Sequence, residues 1–562
     1  MNTEILGIVA VFAAAVAVGI PLGKYIANVY SEKKMVTDKI FGPIENLFYK
    51  ISGINPLQEM NWKQHLVAML TINMFWFVLG MLILMTQGIL PLNPDQNPSM
   101  TADLAFNTVI SFVVNCNLQH YSGETGISYL GQMWLMFLQF VSAGTGMAAA
   151  AVVFRAFRDQ SSNTLGNFYN FFVKSCTRIL VPLCIIVATV LVFEGTPMTF
   201  SGKDTVTNLQ GDQVEVSTGP AAAFIAIKHI GTNGGGFFGT NSAHPFENPT
   251  YLTSMVEMFA QLIIPIAMVF AFGFFIQRKK MAWMIFGVMT LGFLLLAVPN
   301  VYMEMQDNPA ITKMGINADL GAMEGKEMRF GAAASGFWSI VTTVISTGSV
   351  NAMHDSTMTL SGMNELLAMM INAFYGGCGV GILNFLVFII LAVFISGLMV
   401  GRTPEFLGKK VEAREMKIAM VIALLHPFLI LVGTAIATAF PEYVASTLNN
   451  PGFHGFSEIL YEFTSSSANN GSGFEGLGDN NLFWNISTGF VLLFGRFLPI
   501  IGPVAIAGLL AQKKYIPESA GTLKTDTSTF GIMVFAVIII VAALSFFPAL
   551  TLGPIAEYFS MK

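Results

Sequence analysis

Apolar residues run along this chain in ten long blocks, at about residues 3–29, 63–88, 129–155, 175–195, 252–276, 281–302, 380–400, 416–440, 482–510 and 528–552. Each is near or above the ~20 residues that an α-helix needs to cross a bilayer. Four shorter apolar segments stand between them, at 102–113, 220–229, 332–345 and 457–467. They are too short to span and suit helices that enter the membrane and turn back. A polar stretch rich in glycine or asparagine follows each one. These stretches are Val114-Asn115-Cys116-Asn117, Ile230-Gly231-Thr232-Asn233-Gly234-Gly235-Gly236, Ser346-Thr347-Gly348-Ser349 and Asn469-Asn470-Gly471-Ser472. Irregular polar backbone at membrane depth persists only where protein buries it or where it lines a watery cavity. The four stretches therefore read as pore loops.

Their spacing is regular. With Asn117, Gly234, Gly348 and Gly471 matched, the intervals are 117, 114 and 123 residues. A single loop of this composition is an ordinary surface turn. Four of them at the same point of a helix, short helix, loop, helix unit describe an all-α polytopic membrane protein built from one unit used four times.

Composition agrees: 54% of the 562 residues are hydrophobic and 11% charged, too apolar for a soluble multidomain protein. The four cysteines, Cys116, Cys176, Cys184 and Cys378, are scattered and suggest neither a disulfide framework nor a zinc site. A net charge of −5 gives no reason to expect a nucleic-acid partner. The start, Met1-Asn2-Thr3-Glu4, has no positive region before its apolar run and reads as a retained helix.

Lysine and arginine orient the chain. The connections without a pore loop carry Lys24, Lys33, Lys34, Lys39, Lys50 and Lys63, then Arg155, Arg158, Lys174 and Arg178, then Arg278, Lys279 and Lys280. Arg402, Lys409, Lys410, Arg414, Lys417, Lys513, Lys514 and Lys524 complete the set, 21 of the 28 basic residues. By the positive-inside rule these connections are cytoplasmic, which places both termini and all four pore loops outside. Acidic residues such as Asp95, Asp103, Glu124, Glu247, Asp355, Glu458, Glu475 and Asp479 fall on the outer side, where they are expected as solvated charge that concentrates cations at a pore mouth.

A cation in a narrow pore must exchange its water for fixed oxygens, and rings of backbone carbonyls do this for potassium without trapping it. Glycine lets successive carbonyls face one way because it adopts positive φ without strain, and asparagine is a tolerant substitute. No filter stretch contains Asp or Glu, which argues against a divalent ion.

The residues also carry a family likeness. Gly231 to Phe238 with Asn241-Ser242-Ala243-His244-Pro245-Phe246-Glu247-Asn248-Pro249, Val350-Asn351-Ala352-Met353-His354-Asp355-Ser356, Gly401-Arg402-Thr403-Pro404-Glu405, Gly408-Lys409-Lys410 and Ser467 to Phe474 together resemble the potassium-binding A subunits of bacterial Kdp potassium-transporting ATPases. The resemblance covers essentially the whole chain. It implies the fold of the superfamily of potassium transporters: four membrane-pore-membrane repeats around one selectivity filter, with an extra helix at each end. The units are then 1–60, 61–165, 166–280, 281–415, 416–525 and 526–562. It implies filter positions at Asn115, Cys116, Asn117, Thr232, Asn233, Gly234, Ser346, Thr347, Gly348, Asn469, Asn470 and Gly471, holding K+ mainly by backbone oxygen. It further implies a bacterial plasma membrane location and three partners: a catalytic P-type ATPase subunit that binds the ATP, a small single-span C subunit, and a very small peptide F subunit. Beyond surrounding membrane lipid and the transported K+, no organic cofactor is expected.

Two features are expected below the filter. Gly376-Gly377-Cys378-Gly379-Val380-Gly381 breaks what would be a long helix and suggests a hinge or gating loop, with close helix packing as the alternative. Arg496 lies deep in a spanning run, where a cation is costly and by default functional; a packing salt bridge is the alternative. Lys228 reads as structural at the outer mouth. No Walker glycine-lysine loop and no Asp-Lys-Thr-Gly-Thr run occurs, so chemical energy must come from another chain or conduction is passive. Arg402 to Lys417 is a candidate docking surface. Three functions compete: the ion-selecting subunit of an ATP-driven potassium pump, a potassium channel or symporter subunit of the Trk/Ktr type, and a scaffold whose glycine loops only turn.

Overall fold

The structure is a computed structural model that describes residues 3–316, 319–517 and 523–561. Among the described residues, ten helices are long and apolar enough to cross a membrane: Thr3–Tyr30, Trp62–Ile89, Tyr129–Arg158, Phe168–Phe193, Tyr251–Phe275, Lys279–Lys313, Val380–Met399, Ala413–Ala439, Leu482–Ala511 and Ser528–Leu552. Between them lie four short pore helices, Ala102–Val113, Ala221–Ile230, Ala332–Ile345 and Phe453–Ala468. The third of them is buried along its whole length, the mark of a helix surrounded by protein.

The fourth pore helix is longer than the expected 457–467, because Phe453, His454 and Gly455 form a first turn that apolar continuity alone does not register. The span expected at 175–195 begins earlier, at Phe168, and widens to a π-helix over Ser175–Leu180. Pro182 follows in the next turn and has no N–H to give to the carbonyl of Arg178. The Tyr25 hydroxyl donates to that carbonyl instead, at 3.1 Å.

The first connection is not merely a linker. It contains the helix Asp38–Ser52, with Ile40, Ile44, Leu47, Phe48 and Ile51 exposed on it. Arg178 fastens this helix to the fourth span through Glu45 (2.5 and 2.6 Å) and Asp38.

The terminal helices belong to the core. Thr3–Tyr30 packs along Tyr251–Phe275 so closely that a Cβ on Gly19 would lie 2.7 Å from Ile266 Cγ2, and one on Gly23 2.6 Å from Ala267 O. Small residues four apart let the two backbones approach in this way. Glu4 accepts from Ala333 N (2.9 Å) at the start of the third pore helix, and Glu557 lies 2.9 Å from His454 at the start of the fourth. Both ends of the described chain therefore sit on the side from which the pore helices begin. Met1, Asn2 and Lys562 lie outside the described residues.

Candidate functional site

All four pore helices end in one turn. Asn115, Thr232, Ser346 and Asn469 take left-handed φ of 63°, 49°, 57° and 51°. The following N–H donates to the carbonyl five residues back: Cys116 to Ser111 (3.0 Å), Asn233 to Lys228 (2.8 Å), Thr347 to Thr342 (2.9 Å) and Asn470 to Ser465 (2.9 Å). This is a Schellman turn, here with polar residues where glycine is usual. Two residues after each of these, φ is positive again, at Asn117 (59°), Gly234 (103°), Gly348 (85°) and Gly471 (102°). Thr232 is the most strained, since a β-branched residue in this region costs ~1–3 kcal/mol. Its hydroxyl accepts from Cys378 N at 2.9 Å.

The loops close into a ring. A Cβ on Gly234 would stand 2.0 Å from Thr347 O and 2.9 Å from Cys116 O; on Gly348, 2.0 Å from Asn470 O; on Gly471, 2.2 Å from Cys116 O. Carbonyls of equivalent residues in adjacent loops thus converge, in the order first, second, third, fourth and back to first. No side chain fits at the three glycines. The first loop carries Asn117 at this position because the second loop offers Gly235 beside it, where a Cβ would meet Asn117 Cβ at 2.9 Å. The Asn117 amide donates to Gly235 O at 3.0 Å.

Each seam between neighbouring loops has its own chemistry. Between the first and second loops it is carboxamide. Asn115 Nδ2 donates to Gly231 O (3.1 Å) and Thr232 O (2.9 Å), and its Oδ1 accepts from Asn233 Nδ2 (2.6 Å) and Ser142 Oγ (3.0 Å). Gln139 donates to Gly235 O (2.9 Å), and Gln119 both donates to and accepts from Gly236 (3.0 Å each).

The other three seams each hold a buried histidine. Between the second and third loops, His229 Nε2 lies 3.0 Å from Ser349 Oγ, beside the fully buried ion pair of Lys228 and Glu247. Ser242 Oγ donates to Glu247 (2.9 Å) and lies 3.1 Å from Ser349 Oγ. Between the third and fourth, His354 bonds Tyr461 Oη (2.8 Å), which bonds Ser472 Oγ (2.8 Å), which donates to Asn470 Oδ1 (2.5 Å). Burial and the Lys326 ammonium push His354 down to about 3, so this ring is neutral. Between the fourth and first, His120 meets Asn485 Oδ1 (2.7 Å), Glu462 (3.3 Å) and Asp479 (3.9 Å). Burial works against its protonation, but Asp479 and Glu462 outweigh it and His120 is pushed up to about 9.

Two clusters resemble metal sites by residue type, His229 with Glu247 and Glu257, and Asp355 with His454 and Glu458. In the first, the Lys228 ammonium already occupies Glu247. In the second, His454 bridges Asp355 and Glu557 (2.8 and 2.9 Å), while Glu458 accepts from the Asn449 and Asn450 N–H groups. Both act as braces. Glu247, Asp355 and Glu458 are thus buried and paired, which corrects the expectation of solvated outer charge for them. Lys228 has the structural environment expected of it.

Above the ring opens a vestibule of about 750 Å³. Gly348 and Gly471 reach its floor, and His120, Lys326, Glu327 and Asp479 stand in its wall. Below the ring, the helix Thr359–Ile371 stops at Asn372 and the chain resumes helix only at Val380. The intervening glycine-rich segment crosses directly under the ring. Asn372 accepts from Ser346 Oγ (3.1 Å), and Cys378 N donates to Thr232. A Cβ on Gly379 would lie 2.2 Å from Gly146 O, and one on Gly376 or Gly381 would strike the segment's own backbone. The crossing is therefore tight at Gly376, Gly379 and Gly381, whereas a Cβ on Gly377 would only touch Thr232 Oγ1, at 3.4 Å. Arg496 faces the same place: a Cβ on Gly146 would lie 2.4 Å from Cys378 O and 3.0 Å from Arg496 Nη2. Arg496 is 4% exposed, and its Nη2 has no hydrogen-bond partner among the described residues. A spanning-helix arginine costs about 3 kcal/mol on insertion scales.

The residue pattern of the KdpA family, described as potassium-transporting ATPase A subunit, matches residues 9–559. The chain belongs to the KdpA family. It is 70% identical to the potassium-transporting ATPase potassium-binding subunit of Flavobacterium johnsoniae over 100% of both chains. Identity is 60% to the subunit of the same name in Phocaeicola vulgatus, again over the full length of both, and 46% in Geobacillus kaustophilus over 98% of each. Among solved structures, the potassium transporter TrkH from Vibrio parahaemolyticus superposes with a TM-score of 0.50 over 87% of this chain and 96% of that one, at 13% identity. This chain thus shares its fold with that transporter.

Sequence reasoning did not identify the seam residues Gln119, His120, Gln139, Ser142, His229, His354 and Glu257. Gln139, Ser142 and Glu257 carried a usable signal, because polar and charged residues inside apolar runs are costly and need partners.

Proposed function

We propose that this chain is the potassium-binding and translocating subunit of an ATP-driven, high-affinity potassium uptake complex. The observation that carries the reading is the ring of Cys116, Thr347 and Asn470 carbonyls against Gly234, Gly348 and Gly471, repeated by one turn at four places. A potassium ion entering from the vestibule sheds water onto these oxygens, none of which bears a full charge. The pore helices point their C-terminal, partially negative ends toward the middle of the protein, which favours a cation there. The ion is bound at Asn115 to Asn117, Thr232 to Gly234, Ser346 to Gly348 and Asn469 to Gly471.

The glycine segment 372–379 and Arg496 form the floor of the filter. The segment occupies the way down, and the guanidinium repels a second cation from it. In this reading, movement of the segment gates passage and Arg496 prevents leakage. The chain lies in the bacterial inner membrane with the vestibule and both termini outside. Its basic connections, Arg402 to Lys417 among them, face the cytosol and dock the catalytic P-type ATPase subunit, which binds ATP and supplies the power stroke. A single-span C subunit and a small peptide F subunit complete the assembly. The six units run as in the repeat division given from sequence.

Potassium-stimulated ATP hydrolysis by the assembled complex, together with monovalent-ion density among the four loops, tests the reading. Ion flux through this chain alone, with no ATPase partner, would instead support a Trk/Ktr-type channel. Arg496→Gln should change both apparent potassium affinity and uptake rate; unchanged values for both would remove the gate from the proposal.

A further inference from the structure

We infer that His229 and Glu257 form a positioning pair that sets which monovalent cation the filter prefers, by fixing Ser349 next to Gly348. The inference rests on the reading of the four loops as a potassium filter. Ser349 is the first residue beyond the third loop's glycine, and it is held at two points. Its carbonyl accepts from Trp338 Nε1 at 2.7 Å, within its own repeat. Its hydroxyl lies 3.0 Å from His229 Nε2, in the neighbouring repeat.

The tautomer of His229 follows from its other nitrogen. Nδ1 is 2.9 Å from Ile225 O, and a carbonyl only accepts, so Nδ1 carries the proton and Nε2 is the acceptor in the neutral ring. Ser242 has already given its hydroxyl proton to Glu247 Oε1. The Ser349 hydroxyl is the donor that remains, and it points at His229.

Glu257 explains why the ring stays in place. Its Oε2 lies 3.5 Å from His229 Nε2, and both side chains are 0% exposed. Neither Glu257 oxygen has a hydrogen-bond partner among the described residues. A buried carboxylate without donors is strongly disfavoured, and the nearby ammonium of Lys228 is committed to Glu247. Glu257 therefore bears on the Nε2 edge of the ring by contact, without taking the lone pair that Ser349 uses. The imidazole is pinned between Ile225 O and Glu257, and it offers Ser349 one acceptor at one place.

The consequence for selectivity comes from contrast with the neighbouring seam, between the first and second loops. There, the second loop is held through the main-chain carbonyls of Gly231, Thr232, Gly235 and Gly236. Here, the third loop is tied across to its neighbour through one hydroxyl. A filter of carbonyl oxygens discriminates by their number, spacing and freedom to move. Loss of that single tie lets the Gly348 region relax and accept ions of other radii.

The test uses the assembled complex, with K+ and Rb+ as probes of ATP hydrolysis. Glu257→Gln should raise the potassium concentration for half-maximal stimulation and reduce the preference for K+ over Rb+ by about five-fold, the equivalent of one hydrogen bond, with the maximal rate changing less than the affinity. Ser349→Ala should do the same, and adding His229→Gln to it should make little further difference, since coupled residues are not additive. If Glu257→Gln fails to assemble, Ser349→Ala, which removes one oxygen atom, carries the test. A wild-type ion preference in Ser349→Ala would overturn the inference. Failure of the filter reading itself is distinct: the unmodified complex would then show no potassium stimulation.

Discussion

The seam between the first and second filter loops and the seam between the second and third solve one geometric problem with opposite chemistry. Both hold a Schellman turn against its neighbour, and both are buried. The first uses Asn115, Asn233, Gln119 and Gln139, neutral groups whose amide nitrogens find oxygen acceptors, while the uncharged Oδ1 of Asn233 and Oε1 of Gln139 have no partner among the described residues. The second uses Lys228, Glu247, His229 and Glu257 and leaves three carboxylate oxygens without partners among the described residues. Neutral amides lock a loop in place, whereas a charged cluster holds it only while every charge is answered. The first seam is therefore built for rigidity, and the second is the one that substitutions unbalance most readily.

Four outcomes would sharpen or break this contrast. The largest belongs to the ring that both seams serve. Gly234→Ala places a methyl 2.0 Å from Thr347 O, so the loops must part. Potassium-stimulated hydrolysis should fall at least about 100-fold, as for a 1 Å misplacement of reacting groups, read from titration of the purified complex. Next, Lys228→Met strands Glu247 in the interior and should cost about 3–5 kcal/mol of stability. A drop in the unfolding midpoint, largely recovered in Lys228→Met/Glu247→Leu, is the expected signature; no recovery would mean that the pair is not the main partner of either residue.

The carboxamide seam should suffer less. Asn115→Ala removes two donated and two accepted hydrogen bonds around a small cavity and should cost about 2 kcal/mol. That loss should be the same across pH 6–9, because no titrating group takes part. The smallest effect is at His120, which has a half-open partner in Asp479. His120 titrates at about 9 in the folded chain, above its ordinary 6.5. A raised value means that its stabilisation is complete below pH 6.5 and fades as pH rises through 9. The stability gap between wild type and His120→Gln, about 1.5 kcal/mol as for a hydrogen bond to a charged group, should close over that window. A gap that widens with pH would reverse the assigned charge.

Much of the architecture was legible in the chain. The ten apolar blocks and the short pore segments announce themselves because bilayer thickness fixes how long a spanning or re-entrant helix must be. The four loop stretches stood out because polar, glycine- and asparagine-rich backbone at that depth must be buried by protein or line a cavity. The helix Asp38–Ser52 was missed because its apolar residues are interleaved with Asp38, Lys39, Glu45 and Lys50, which lowers its average hydrophobicity. The hairpins at Asp204–Thr207 with Gln213–Val216, and at Glu405–Phe406 with Lys409–Lys410, were missed because strands this short carry little pattern.

By itself, the sequence determined that this is a polytopic helical protein with four equivalent loops, since both follow from local composition and repeat spacing. Only the tertiary structure decided that Cys116 O faces both Gly234 and Gly471, that the segment 372–379 crosses under Thr232, and that Ser349 meets His229. These contacts join residues from different repeats. No local pattern encodes them, because they come into existence only when the four units close around one axis.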